Sequence, residues 1–309
     1  MRCGLNSMTA IGLVFSLTAP PVLAAPMDDL LPSVLSSLVD EVKGKHRARE
    51  EPIVVFDLDG TLLDNRERTL RIMKLYAERE VAPLRPKVAE RIASLRLEDI
   101  GSRVMDTLAR VGVSDPAIVN NAVVFWGERF FTGKYAGFDV AKPGSAALVR
   151  TLHGAGARIV YWSTRDASTH LAGTIEVLQR QGFPVGVQGT EVILKPNKQM
   201  MSSVFKRRAI AYLQQTGTVV GAFDDEAVNS NLCRRAFSKA SCVWVNLDGA
   251  RPKSPLLDEV TELRSYEPQL RRASVRGTPG ATHSSSLEAG LGGEMNPLPQ
   301  EAAAVAGEG

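Results

Sequence analysis

Apolar positions recur at helical spacing over residues 29–43, at Leu31, Val34, Leu35, Leu38, Val39 and Val42, which predicts an amphipathic helix. A charged stretch, Lys43 to Glu51, separates it from Pro52-Ile53-Val54-Val55-Phe56. That second run is β-branched and does not alternate, as expected of a strand buried on both faces, and it ends at Asp57. Residues 66–135 have a different texture. Ile100, Val104, Met105, Leu108 and Val111 fall at helical spacing before Gly112, and Ser114-Asp115-Pro116 starts another helix with Pro in its first turn. No strand pattern occurs in that stretch, which reads as a helical insert.

Strands and helices then alternate. A helix from Pro143-Gly144 to about His153 leads to the strand Ala157 to Trp162, which ends at Ser163-Thr164. A helix over about 168–181, a short strand at Glu191–Leu194 and a helix over 203–214 follow. The strand Thr218 to Phe223 ends at Asp224-Asp225, a helix covers 229–239, and Cys242 to Asn246 is read as the last strand. Such alternation implies a mainly parallel sheet with helices on both faces. From about Arg271 the composition turns to Gly, Ala, Ser, Pro and Glu, too poor in apolar surface to fold alone, so 269–309 is expected to be a disordered tail.

The extreme N-terminus changes the picture. Met8 to Ala19 is a mostly apolar run of about a dozen residues behind Arg2, too short for the roughly 20 that span a bilayer. Val22-Leu23-Ala24 supplies small residues for a signal peptidase, so residues 1–24 read as a signal peptide and the chain as exported, periplasmic or secreted. No later stretch reads as a membrane helix. Cys3 would leave with the signal, while Cys233 and Cys242 would remain either as a disulfide or as two buried thiols. The 309 residues carry 44% hydrophobic and 23% charged side chains, with a net charge of +3. That charge is too small to argue for nucleic acid, and the basic run at 271–276 is short enough to be merely solvated.

Three strand ends carry the candidate chemistry: Asp57 and Asp59, Ser163 and Thr164, Asp224 and Asp225. In an open parallel sheet ligands bind outside the carboxyl ends of the strands. If these strands are neighbours, four carboxylates and a hydroxyl share one crevice and need a cation. Oxygen donors without His or Cys point to a hard ion, and Mg²⁺ is the usual one beside phosphate. A calcium loop of the EF-hand type is excluded: its fifth and sixth positions would be Thr61 and Leu62, where an oxygen donor of the Asp or Asn kind and a Gly are needed, and a strand precedes it.

Phe56-Asp57-Leu58-Asp59-Gly60-Thr61 resembles the first motif of the haloacid dehalogenase (HAD) superfamily, which is mostly phosphatases. Ile159 to Arg165, with its Ser163-Thr164, resembles the second motif, and Val220 to Asp225 resembles the fourth, acidic one. The third is a lysine, for which Lys195, Lys198 and Lys206 compete; Lys206, on a predicted helix 18 residues before Asp224, is preferred. The resemblance spans about residues 50–250. It implies a Rossmann-like α/β core over 25–65 and 136–268 with an all-helical cap inserted at 66–135, acting on a small phosphorylated substrate. It makes Asp57 the nucleophile and Asp59 the general acid/base. Ser163, or Thr164, would hydrogen-bond the phosphoryl group, with Lys206 neutralising it and Asp57. Mg²⁺ would be held by Asp57, Asp224 and the backbone carbonyl of Asp59, assisted by Asp225. The dehalogenases of the superfamily lack the second aspartate, so Asp59 favours phosphate over halide. A phosphomutase, or an exported protein that only binds metal or phosphate, would share much of this pattern.

Overall fold

A computed structural model describes residues 32–267; the expected signal peptide, the start of the first predicted helix and the expected tail lie outside the described residues. The strands are β1 (Pro52–Asp57), β2 (Leu63–Asp64), β3 (Val140–Ala141), β4 (Arg158–Asp166), β5 (Thr190–Lys195), β6 (Thr218–Asp224), β7 (Ser241–Val245) and β8 (Val260–Leu263). Six of them form one parallel sheet in the order β5-β4-β1-β6-β7-β8. β1 is buried along its whole length, as its unbroken apolar run requires.

Each face of the sheet is covered by helices. On one side lie α1 (Ser33–Arg47), α7 (Ser145–Gly154) and α8 (Ala167–Arg180), with Leu35, Leu38, Leu148, Leu152 and Val177 packed against Val54, Phe56 and Tyr161. On the other lie α9 (Ser202–Thr216) and α10 (Ala227–Ala236), where Ile210, Leu213 and Cys233 meet Val55, Val160 and Trp162. Cys233 and Cys242 are both buried free thiols, and burial pushes the Cys242 thiol up to about 11. Two corrections to the sequence reading stand out. The sheet does not end at β7 but continues to β8, and two short strands, β2 and β3, pair antiparallel.

That small β2–β3 ribbon sits where the chain leaves the core and where it returns. Between its strands lie α2 (Arg66–Tyr76), α3 (Pro86–Ala93), α4 (Val104–Arg110), α5 (Pro116–Phe130) and α6 (Gly133–Ala136). A single π-helical turn, Ala77–Val81, extends α2. Asp115 caps α5 by accepting from the Ala117 and Ile118 amides, with Pro116 in the first turn, as the Ser-Asp-Pro signal predicts. These helices enclose an apolar core of their own around Ile72, Met73, Ile92, Leu108, Ala122 and Phe125. Among the described residues no helix is long and apolar enough to cross a membrane.

Candidate active site

β1 runs between β4 and β6, with Asp57 in register with Trp162 and Phe56 with Phe223. The polar residues at the three strand ends therefore arrive side by side outside the carboxyl edge of the sheet, the place where open α/β sheets bind ligands. Stacking of Phe56 on Phe223, with centroids 4.7 Å apart, fixes β1 against β6 just below the acidic residues.

Asp57 is 8% exposed, and its Oδ1 accepts from Lys206 Nζ at 2.6 Å. The same ammonium donates to Asp224 Oδ2 at 2.9 Å and lies 4.1 Å from the centre of the Trp162 ring. Lys206 is 2% exposed, whereas Lys195 is half-buried and Lys198 exposed, so of the three competing lysines the fold brings Lys206 to Asp57. Burial opposes the Lys206 charge, but Asp224 and then Asp57 outweigh it and raise the ammonium's pKa. Asp224 is further fixed through Oδ1 by the Glu226 amide and Asn229 Nδ2, both at 3.0 Å.

Asp225 lies across from Gly60. Thr61 Oγ1 donates to Asp225 Oδ1 at 3.3 Å, and Trp244 Nε1 donates to its carbonyl at 2.8 Å. Gly60 has φ of +84°, and a Cβ there would come within 2.2 Å of Asp225 Oδ2, so the turn after β1 needs glycine both for its backbone and for room. Burial, then the Asp224 and Glu226 charges, push the Asp225 carboxyl up to about 7. The Asp57 carboxyl is raised as well, chiefly by burial, with Asp224 and Asp225 adding to it against Lys206. A cleft of about 360 Å³ opens beside Gly60 and Asp225, lined also by Ser102, Lys142 and Asn246.

Asp59 stands apart from this group. Both its oxygens are taken by Arg165, Nε donating to Oδ2 and Nη2 to Oδ1, each at 2.7 Å. Burial alone would raise the Asp59 carboxyl, but Arg165, with help from Arg68 and Asn65, holds it well below the usual carboxylate range. Ser163 Oγ donates to Asp59 Oδ2 at 3.5 Å and accepts from the Arg165 amide at 3.2 Å; these contacts involve Ser163, not Thr164. Sequence reasoning did not single out Arg165, Arg68, Asp139 or Trp162. The available signal was Arg165's place directly after Ser163-Thr164.

The donor chemistry suits a hard divalent cation. Asp57 and Asp224 share one ammonium with Asp225 beside them, and burial, with the repulsion between the carboxylates added to it, raises two of the carboxyls. In the arrangement described, Lys206 bridges two of them, and among the described residues no group of three or more His, Cys, Asp or Glu is gathered to hold an ion.

No family model matches the chain, and no curated protein matches it. Solved structures that it is similar to include a class C acid phosphatase from Bacillus anthracis, at 19% identity, covering 66% of this chain and 64% of that one, with a TM-score of 0.33. A dehalogenase matches at 15% identity over 70% of this chain and 94% of its own, with a TM-score of 0.39. CbbY from Rhodobacter sphaeroides in complex with phosphate matches at 19% identity over 70% and 95%, also with a TM-score of 0.39. The chain thus spans 64% of the length of the acid phosphatase. These neighbours are HAD-like hydrolases, and likenesses of this size transfer no chemistry.

Proposed function

We propose that this chain is a Mg²⁺-dependent phosphatase that hydrolyses a small phosphomonoester through an aspartyl-phosphate on Asp57. The observation that carries the reading is the pairing of Asp57 with the buried Lys206 beside two further carboxylates at adjacent strand ends. Asp57 and Asp224 would hold the ion with their side chains and Asp59 with its backbone carbonyl, Asp225 assisting. When bound, the ion offsets the repulsion between carboxylate and phosphate and stabilises the transferring phosphoryl group. Asp57 attacks phosphorus and the bond to the leaving oxygen breaks, which splits hydrolysis into two easier steps. Lys206 would supply positive charge to Asp57 and to the phosphoryl oxygens, and Ser163 would donate to one of them. Thr164 remains the alternative donor.

Asp59 would protonate the leaving oxygen and later take a proton from the attacking water, help typically worth about 10²–10⁴ in rate. In the arrangement described both its oxygens accept from Arg165, and a carboxylate oxygen that accepts one such bond keeps a further lone pair for proton transfer. The helical stretch 66–135 would act as a cap over the crevice. The expected signal at 1–24 makes export part of the proposal, which mass spectrometry of the secreted chain checks at its N-terminus.

The test is phosphate release from an aryl phosphate with and without Mg²⁺. Release that depends on the metal is expected. Metal-stabilised folding without any release would assign the site to binding instead, and transfer to a sugar hydroxyl in place of water would mark a phosphomutase.

A further inference from the structure

We propose that Arg165 is a positioning residue for Asp59, anchored by Asp139 and Arg68, so that the seating of the helical insert fixes where the Asp59 carboxylate points. The proposal rests on the reading of Asp59 as the proton-transfer group. Arg165 is 5% exposed, and its guanidinium is held from several directions. Besides the two bonds to Asp59, Nη2 donates to Asp139 Oδ2 at 2.5 Å and Nη1 to Thr174 Oγ1 of α8 at 3.2 Å. With its donors so engaged and its side chain out of solvent, Arg165 is not itself a substrate ligand.

Asp139 is the hub on the insert side. It is buried, and it accepts from Arg68 Nε at 2.8 Å through Oδ1 and from Arg68 Nη2 through Oδ2. Arg68 belongs to α2, where the chain enters the insert; Asp139 lies just before β3, where the chain returns. Arg68 Nη1 donates to the Phe130 carbonyl at the end of α5 at 3.1 Å, and its guanidinium lies 4.3 Å from the centre of the Phe130 ring. Arg68 Nη2 also reaches Asp59 Oδ1 at 3.4 Å. Two arginines and two aspartates thus join both stems of the insert, the end of β4 and the site in one charge-balanced network.

Asp59 is the exit from this network. Its side chain is 28% exposed, while those of Arg68, Asp139 and Arg165 are nearly inaccessible. A buried ion network is a poor source of stability compared with apolar packing, but it fixes geometry, and only a fixed group can meet a leaving oxygen. Close packing holds the same junction elsewhere: a Cβ on Gly173 of α8 would come within 2.5 Å of the Gly133 carbonyl of α6. The insert and the core helix beside Arg165 therefore have little freedom to slide.

The experiment uses the full chain with Arg165→Met, Arg165→Lys and the near-isosteric Asp139→Asn, and aryl phosphates of graded leaving-group pKa together with one alkyl phosphate. Arg165→Met is expected to lower kcat/KM, which reports transfer to Asp57, by about 100-fold on the poorest leaving group, the size of a misplaced catalytic group, and by progressively less as the leaving group improves. The dissociation constant of inorganic phosphate is expected to stay within about threefold, because no ground-state contact with that ligand is removed. Asp139→Asn, which does not touch Asp59, shows the same slope at smaller size, and Arg165→Lys recovers part of it. Equal losses of kcat/KM on every leaving group, a weakened phosphate affinity with kcat intact, or a silent Asp139→Asn would overturn the proposal. A second readout needs no turnover. Amide hydrogen exchange over residues 59–65 and 137–142 is expected to quicken in Arg165→Met and Asp139→Asn while the exchange of β1 and β6 stays slow. Unchanged exchange at both segments would overturn the proposal, whereas an inactive wild-type chain with quickened exchange would refute the phosphatase reading alone.

Discussion

Replacing Lys206 by Met removes the ammonium shared by Asp57 and Asp224 while keeping an apolar stem of similar length over Trp162. Two carboxylates, 8% and 2% exposed, then lose their shared counter-charge. Removing one partner of a buried ion pair typically costs about 3–5 kcal/mol, because the remaining charge stays buried without compensation. Against a total stability of about 5–15 kcal/mol, that is a large fraction. Urea unfolding followed by circular dichroism, in a chelator at pH 7.5, measures it. The Asp57→Asn change in the Lys206→Met background removes one of the stranded anions, so the double variant is expected to lose about 1–3 kcal/mol less than the two single losses added together. Mg²⁺ is expected to restore part of the stability of Lys206→Met, since a cation can take over the neutralisation. A cost below about 1 kcal/mol, with simple additivity, would refute the idea that buried carboxylate repulsion governs this site.

Other consequences follow from the same charges and from Gly60. The Asp225 carboxyl titrates at about 7 in the folded chain against 3.8 ordinarily, so the folded state binds the proton more tightly across that window. Stability of the metal-free protein therefore falls as pH rises from about 4 to 7, by at most about 1.4 kcal/mol per pH unit from this group, and Asp225→Asn flattens the profile. Melts at several pH values check this; a wild-type profile rising through that window would contradict it. Gly60→Ala places a Cβ within 2.2 Å of Asp225 Oδ2 at a φ of +84°. It is expected to cost about 1–3 kcal/mol and to weaken Mg²⁺ binding measured by calorimetry, because Asp225 must move. Unaltered metal affinity in that variant would show that Asp225 takes no part in holding the ion.

The parallel sheet was legible because its central strands are buried on both faces and cannot be written without continuous apolar runs, as in 52–56 and 218–223. β8 escaped notice for the opposite reason: Val-Thr-Glu-Leu at the sheet edge has only its end residues buried. β2 and β3 are two residues each, below any periodic signal, although they define the stems of the insert. The acidic strand ends declared themselves by position. Lys206 could be preferred but not separated from its rivals, because a lysine on a helix reads as surface until packing places it among Phe205, Ala209 and Ile210. The Arg68–Asp139–Arg165 network was invisible. Its members are separated by 71 and 26 residues, and Arg68 sits in a helix whose many charges look solvated. Long-range pairing between buried charges leaves no local pattern; only the fold exposes it.

The central claim concerns Asp57 as nucleophile, and one comparison addresses it most directly: phosphate release from an aryl phosphate in saturating Mg²⁺ by the wild-type chain and by Asp57→Asn, with circular dichroism on both. The amide keeps the shape of the carboxylate but removes the attacking charge. Turnover by the wild type that falls to background in a normally folded Asp57→Asn chain is the predicted result. Undiminished turnover by that variant would contradict it.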